Sequence, residues 1–169
     1  YKEEVIYSGK WDFVELGEIF KEIRNGKNVK QILEKGKYRV TRIQTIANGS
    51  INLNNTRWTN DDVSENDLMQ SGDILVSHIN SYDHLGKAAL FYGILSKVVH
   101  GINLLKFKPD KQKINPFYAI FIFKSEKFLK KVKSFAQRAV NQASVKTADL
   151  KRIKIPLPPL EIQEQIVAE

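Results

Sequence analysis

The chain has 169 residues, 42% of them hydrophobic, so one domain with its own core is expected, and the absence of cysteine excludes disulfides and thiolate metal sites. The formal net charge is +8, and neither a run of about 18 apolar residues nor a signal-peptide apolar segment occurs. We therefore expect a cytoplasmic protein with no membrane partner.

The first part of the chain predicts one helix and two paired strands. Apolar residues recur at helical spacing in residues 16–23, and Gly26 stands where a helix would end. Residues 38–46 and 51–58 are rich in β-branched and aromatic residues, and the Asn48-Gly49 dipeptide between them suits a hairpin turn. Two antiparallel strands are expected there, after an N-terminal linker in residues 1–10.

The middle of the chain predicts buried strands. Residues 73–77 form a short apolar run after the turn-forming pair Ser71-Gly72, which is typical of a strand in a core. Further strands are expected at residues 87–92, 98–99 and 104–107.

Two capped helices are expected next. Asn115 is a good N-cap with Pro116 in the first turn, and Ser125 is a good cap for a second helix. Apolar residues at helical spacing on both helices predict a core-facing stripe. The stripe comprises Phe117, Ile120 and Phe121, followed by Phe128, Leu129, Val132 and Phe135.

The end of the chain predicts a short strand and the beginning of a longer helix. Residues 153–160 read as a strand that prolines cut short, and residues 159–169 as the start of a polar helix. Four apolar side chains there are expected to contact a partner helix, namely Leu160, Ile162, Ile166 and Val167. Packing of the helix on its own domain is the alternative. The expected fold class is α+β, with a twisted mixed or antiparallel sheet flanked by short helices.

Motifs for catalysis are weak or missing. Pro158-Pro159 lies between leucines, without the Asp or Asn and the aromatic residue that an adenine methyltransferase uses on a flipped base. The Gly-Lys pairs lack the Ser or Thr of a phosphate-binding loop, and the three histidines show no spacing that suits a shared metal ion. We expect no catalytic residue, no metal site and no cofactor bound by this chain.

Several motifs in order give the chain a family resemblance. It opens with Trp11 and a Leu-Gly-Glu-Ile segment at residues 16–19, and a Gly-Asp-Ile-Leu strand follows at residues 72–75. A Tyr-Arg-Val-Thr-Arg strand stands between them at residues 38–42, and a Gln-Ala-Ser-Val segment follows at residues 142–145. The chain then ends in Ile-Pro-Leu-Pro-Pro-Leu and Gln-Glu-Gln-Ile-Val, at residues 155–160 and 163–167.

Over residues 11–169 this set resembles the specificity subunits of type I restriction-modification systems. Many relatives have Gly where Ala139 stands, so the backbone near Arg138 is where this chain departs from the pattern. The resemblance implies a DNA target recognition domain at residues 11–158 and the start of a conserved spacer helix at residues 159–169. Such a domain reads one half of a split target, alongside a second recognition domain in the same chain or in a paired half-subunit.

The resemblance also implies partners. Adenine methyltransferase subunits would bind S-adenosylmethionine, and a restriction and translocase subunit would use ATP and Mg²⁺, so the specificity subunit is itself non-catalytic. Two alternatives remain open at this stage. One is the recognition domain of a fused single-chain methyltransferase-endonuclease, and the other is an assembly protein whose basic surface meets an acidic protein.

The distribution of charge and of polar loops predicts the DNA-contacting residues. Residues 97–154 carry 15 Lys and Arg against 3 Asp and Glu, which suits a polyanion, although a solvated basic surface fits equally well. Arg, Asn and Gln can each offer two hydrogen-bonding atoms to a base, and they occur in three polar clusters. The predicted DNA contacts are Asn54, Asn55 and Arg57 in the first cluster, His78, Asn80, Ser81, Tyr82 and Lys87 in the second, and Arg138, Asn141, Gln142, Ser144 and Lys146 in the third.

Overall fold

The fold is built from short helices and short strands. The computed structural model describes residues 2–169. Within them the helices are α1 (Lys2–Ser8), α2 (Leu16–Ile19), α3 (Pro116–Phe123), α4 (Glu126–Ser134), α5 (Thr147–Lys151) and α6 (Leu160–Ala168). The strands are β1 (Phe13–Glu15), β2 (Phe20–Asn25), β3 (Tyr38–Val40), β4 (Arg57–Thr59), β5 (Ile74–Val76), β6 (Ile79–Asn80), β7 (Ala88–Leu90), β8 (Val98–Val99), β9 (Leu105–Pro109), β10 (Gln137–Ala139), β11 (Gln142–Ser144) and β12 (Lys154–Pro156). The expected α+β class is confirmed.

A four-stranded antiparallel sheet, in the order β2-β9-β5-β7, forms the centre of the fold. All three residues of β5 are buried, because Ile74 and Val76 face one apolar cluster and Leu75 faces another on the opposite side. A strand covered on both faces reads as a continuous apolar run, which is why the sequence predicts it well.

The larger apolar cluster lies between this sheet and helices α2, α3 and α4. Its centre is a set of aromatic rings: Phe123 stacks on Phe128 at 4.6 Å between ring centroids and meets Phe107 edge-on at 5.2 Å. Phe20 joins them at 5.4 Å from Phe107. These contacts fix α3 and α4 on the sheet.

The helix predicted for residues 16–23 is wrong beyond its first turn. Helix α2 ends at Ile19, and the chain continues as β2, which pairs with β9 through Ile23 opposite Phe107. The same apolar residues satisfy the burial pattern of a strand, and pairing with a buried neighbour overrides a local helical spacing.

The two strands predicted around Asn48-Gly49 do pair, with Tyr38 opposite Thr59 in an antiparallel register. They are not joined by a tight turn, because residues 43–46 and 53–55 form 3-10 helices between them. Strand β3 also pairs in parallel with β8, so β4, β3 and β8 form a separate sheet. This side sheet packs on its own small apolar cluster.

Both predicted helix caps are confirmed. The Asn115 side chain accepts hydrogen bonds from the backbone of Phe117 at 2.8 Å and Tyr118 at 3.4 Å, and Ser125 accepts from Phe128 at 3.3 Å. The predicted core-facing stripe of α3 is only partly correct, because Ile120 and Phe121 pack half-buried against the larger cluster and Phe117 does not. Tyr118, Ala119, Ile122 and Phe123 are buried, whereas Phe117 is exposed. Since nearly every residue of α3 is apolar, the sequence pattern does not select one face.

The linker predicted for residues 1–10 does not hold for residues 2–8, and residue 1 lies outside the described residues. These residues form α1, whose Ile6 is only 2% exposed in the larger cluster. The Glu3 carboxylate also accepts hydrogen bonds from the backbone of Glu126 at 3.2 Å and Lys127 at 2.8 Å. Helix α1 therefore caps α4, and this segment is part of the domain.

No helix in residues 2–169 is long and apolar enough to cross a membrane. In the same range, no group of three or more His, Cys, Asp or Glu side chains is placed to hold a metal ion.

Candidate nucleic-acid interface

A small three-stranded sheet brings two of the three polar clusters together. Strand β11 pairs with β10 on one side and with β6 on the other, placing Ala143 opposite Asn80 and Ser144 opposite Ile79. The backbone N–H of Val145 donates to the His78 carbonyl at 2.9 Å, which extends the pairing by one residue. Segments about 60 residues apart in the chain thus become neighbours.

The hairpin of β10 and β11, residues 137–144, is the most exposed polar element of this region and is called the exposed hairpin below. All three residues of β10 are exposed, and Val140 at the tip is 90% exposed. Asn141 has φ of 60°, the only positive φ at a non-glycine residue in the described chain. Asn tolerates this left-handed conformation better than most residues, so it suits the two-residue turn.

Alternation along the strands divides the predicted contacts between the two faces of the exposed hairpin. Arg138 and Asn80 both lie opposite Ala143 and share its face. Gln142 and Ser144 lie on the other face, because successive side chains of a strand point to opposite sides. The two faces and the tip of the hairpin therefore carry different parts of the predicted set.

Arg138 is held in place by an aromatic ring. Its guanidinium carbon lies 3.6 Å from the centroid of the Tyr82 ring, and the Lys133 ammonium lies 5.6 Å from the same ring. No hydrogen bond or ion pair engages the Arg138 guanidinium within residues 2–169, so its N–H donors remain free while stacking restricts its position. A stacked guanidinium with free donors is well suited to a planar acceptor pair.

Asn80 and Ser81 form the start of the loop that carries Tyr82. The Asn80 amide donates to Ser77 Oγ at 3.3 Å, and its oxygen accepts from the backbone of Ser81 at 2.8 Å. An amide has two donors and an oxygen with two lone pairs, so Asn80 retains one donor and one acceptor site. Ser81 itself is exposed.

His78 differs from its prediction as a DNA contact. Its side chain is 6% exposed, its Nε2 lies 3.2 Å from the Asn25 amide nitrogen, and burial lowers its pKa below the usual value. A buried imidazole cannot reach a base. His78 continues the buried run of β5, and its carbonyl holds the exposed hairpin in register, so it supports the site from beneath.

Lys87 is also held by the protein. Its ammonium donates to the Ala47 carbonyl at 2.7 Å and lies 3.0 Å from His84 Nδ1. Lys146 is exposed and precedes α5, where its carbonyl accepts from the backbone of Asp149 and Leu150, both at 3.1 Å. Neither lysine lies on a strand of the exposed hairpin.

The first polar cluster lies elsewhere, at the side sheet. Asn54 and Asn55 occupy a 3-10 turn, in which Asn54 N donates to Asn52 Oδ1 at 3.0 Å and the Asn55 amide lies 3.5 Å from the Gln44 carbonyl. Arg57 is in β4. No hydrogen bond, ion pair or ring contact joins this cluster to the exposed hairpin in the part of the chain that the structure describes.

Val140 is a candidate contact that was not predicted from the sequence. An apolar side chain at the tip of a hairpin cannot be buried in the core. In the sequence, Val140 is marked only as a single β-branched residue between the predicted contacts Arg138 and Asn141. Val140 adds an apolar group beside Asn141 and Gln142.

The final helix is partly committed to its own domain. Gln163 is fully buried; its oxygen accepts from Asn115 N at 2.8 Å and its amide donates to the Pro158 carbonyl at 2.7 Å. Ile162 and Ile166 line a cavity of about 620 Å³ against α1. Leu160 is half-buried, and Val167 is 37% exposed. Contact of these four residues with a partner helix stays a prediction.

Comparison with known proteins gives one family. Residues 8–168 match the family model described as the type I restriction modification DNA specificity domain. The chain is 42% identical over 160 residues to a Methanocaldococcus jannaschii protein named as the specificity subunit of the type I restriction enzyme MjaX, a match that covers 92% of this chain and 37% of that protein. It is 33% identical over 98 residues to the Escherichia coli type I restriction enzyme EcoAI specificity subunit, covering 57% of this chain and 17% of that one.

Solved structures share the fold. A type I restriction-modification S subunit from M. genitalium superposes with a TM-score of 0.66 at 16% identity, over 95% of this chain and 38% of that chain. The HsdS subunit from Thermoanaerobacter tengcongensis gives 0.62 at 19% identity, over 94% and 40%. The chain therefore spans well under half the length of the relatives that it matches.

Proposed function

Since this chain belongs to the family of type I restriction modification DNA specificity domains, we propose that it is a non-catalytic module that reads DNA sequence. The exposed hairpin enters a groove of double-stranded DNA, and the side chains around it contact base edges there. The observation that carries this proposal is the geometry of the hairpin itself: a two-stranded ribbon, exposed along β10 and at its tip, that bears Arg138 and Gln142.

The chemistry of these side chains fits base readout. The major groove admits a two-stranded β-ribbon, and there Arg pairs with the two acceptors of guanine while Asn and Gln pair with adenine. Arg138 and Gln142 are both exposed and lie on opposite faces of the exposed hairpin, and Ala143 on the Arg138 face is buried against the domain. Val140 at the tip can contact the methyl group of thymine.

The basic surface supplies the remaining affinity. Lysines on α4 and α5 flank the exposed hairpin, and the three lysines of α4's second half are Lys130, Lys131 and Lys133. Contacts with phosphates orient a protein on the duplex without carrying sequence information. Lys130 is less available for phosphate contact than the other two, because its ammonium group forms a salt bridge with the Glu126 carboxylate at 3.1 Å.

The same family membership supports the proposed partners. Both relatives are named as specificity subunits, which favours a separate subunit over a fused methyltransferase-endonuclease. In this proposal the domain reads one half of a split target, acts with a second recognition domain, and directs adenine methyltransferase and restriction subunits in the cytoplasm. S-adenosylmethionine, ATP and Mg²⁺ would be bound by those partner subunits.

Binding of the assembled complex to DNA tests this function. The target is first identified by mapping methylated adenines in cells that carry the intact system, and dissociation constants are then measured for that duplex and a scrambled one. We expect at least a thousandfold preference for the target and a steep linear fall of log affinity with log salt. Equal affinity for the two duplexes, or tight binding to an acidic protein in place of DNA, would contradict the proposal.

A further inference from the structure

A cavity of about 510 Å³ lies beside the exposed hairpin and is not part of it. Three segments line it: residues 47–49, residues 83–88, and a third made of side chains of α3 and α4 together with Lys124, which follows α3. The segment of residues 83–88 directly follows Tyr82 in the chain, and the Tyr82 ring contacts Arg138 of the exposed hairpin.

The walls of this cavity are strongly basic. Lys87, Lys124 and Lys133 line it together with His84, and Asp83 is the one acidic residue among its lining residues. None of the three ammonium groups forms a salt bridge within residues 2–169. Lysines that face a concave site without carboxylate partners create a positive potential that favours an anion.

Two of the lysines are fixed in position. The Lys87 ammonium donates to the Ala47 carbonyl at 2.7 Å, and the Lys124 ammonium donates to the Gly49 carbonyl at 2.7 Å. An ammonium group has three donors, so both can still bind a ligand. Because Lys only donates, His84 Nδ1 accepts from Lys87, and a neutral His84 then carries its proton on Nε2 as a further donor.

The third lysine connects the cavity to the exposed hairpin. The Lys133 ammonium lies 5.6 Å from the Tyr82 ring, whose centroid is 3.6 Å from the Arg138 guanidinium carbon. An anion in the cavity is therefore two side chains away from a residue proposed to read a base.

We propose that this cavity binds one phosphate group of the DNA backbone and so sets the position of the exposed hairpin in the groove. The inference rests on the proposed function and makes Lys87, a predicted DNA contact, a contact to phosphate. The ligand chemistry is a phosphate group, and the DNA backbone is its source.

The test uses the complete specificity subunit in its complex and the mapped target duplex. Each phosphate near the half-site is replaced in turn by an uncharged methylphosphonate, and affinity is measured for the natural protein and for the K87Q/K124Q/K133Q variant. We expect one or two positions at which the natural protein loses about tenfold in affinity. At those positions, methylphosphonate replacement should cause no further loss of affinity in the triple variant. The slope of log affinity against log salt should be less steep for the triple variant than for the natural protein, by about 0.9 per phosphate.

Two further variants keep the test decisive. K133Q alone removes the lysine that makes no hydrogen bond within residues 2–169, so it should fold normally and reduce the methylphosphonate effect in part. K35Q/K97Q/K111Q removes the same charge from exposed lysines elsewhere and should leave the sensitive positions unchanged.

Three results would overturn the inference, and only the third would also overturn the proposed function. If the sensitive phosphates cost the triple variant as much as the natural protein, the cavity does not bind them, and the reading function stands. If no phosphate is sensitive but inorganic phosphate at constant ionic strength weakens DNA binding only in the natural protein, the cavity binds a free phosphate. If the natural complex does not prefer its target, the proposed function fails as well.

Discussion

Asn141 shows how a single residue controls the exposed hairpin. Its φ of 60° lies in the left-handed region, where Gly is unstrained and a β-branched residue costs about 1–2 kcal/mol. The sequence places Asn141 in a polar cluster but does not by itself reveal a turn, since neither Pro nor Gly marks it. Its polar character was therefore predictable, and its backbone role was not.

Substitution at Asn141 separates these two roles. Asn141→Gly should keep the unfolding free energy within about 0.5 kcal/mol, whereas Asn141→Val should lower it by about 1–2 kcal/mol because of backbone strain. Urea unfolding of both variants measures this. Equal stability of the Gly and Val variants would show that the turn does not require the left-handed conformation.

His100 makes stability depend on pH. It is fully buried, its Nε2 donates to the Leu104 carbonyl at 2.7 Å, and burial lowers its pKa to about 4. Above the unfolded pKa of about 6.5 both states are neutral, so the full stability is present. Between about pH 6.5 and 4 the unfolded state takes up a proton and the folded state does not, so stability falls as the pH falls.

The expected loss can be isolated with one variant. Between pH 7 and pH 5 the natural protein should lose about 1–2 kcal/mol more unfolding free energy than His100→Gln does, since Gln does not titrate. His78, whose pKa is also lowered by burial, is present in both proteins and cancels in the comparison. Parallel losses in the two proteins would mean that His100 does not carry the effect.

At the scale of elements, the helices and strands that depend on local interactions were predicted correctly from local sequence patterns. Helices α3 and α4 were predictable because Asn115 and Ser125 cap them, and β5 because its apolar run is covered on both faces. The extension of α2 failed because β2 is stabilised by pairing with β9, more than 80 residues away in sequence. Spacing within one segment does not reveal which distant strand will pair with it.

Because the Tyr82 ring holds Arg138 in position, substitution of Arg138 tests base readout by the exposed hairpin. Arg138→Lys should weaken the preference for one base pair of the target by about 1–3 kcal/mol, because it replaces the planar, rigid fork that stacks on Tyr82 with a flexible ammonium group. Affinities for the target and its single-base variants measure the change. A Lys variant that keeps the full preference would remove Arg138 from the reading set.

For the whole molecule, three polar clusters were predicted and the fold joins two of them. The pairing of β6 with β11 is a long-range contact without any local signal, so the sequence could identify the residues but not their arrangement. The first cluster, Asn54, Asn55 and Arg57, lies at the side sheet. The buried position of His78 and the cavity lined by residues 47–49 and 83–88 likewise depend on how distant segments pack.

The most direct measurement of the central claim is methylation mapping in cells that carry the intact system. The natural protein is compared with Arg138→Ala/Gln142→Ala, with Asn54→Ala/Arg57→Ala for the first cluster, and with Lys111→Ala/Gln112→Ala as a surface control. We predict that the exposed-hairpin variant relaxes or loses methylation at one half of a split motif while the complex still assembles, and that the control does not. If the exposed-hairpin variant keeps the natural motif and its methylation level, the exposed hairpin does not read DNA. A change of the methylated motif in the first-cluster variant alone would place readout at the side sheet.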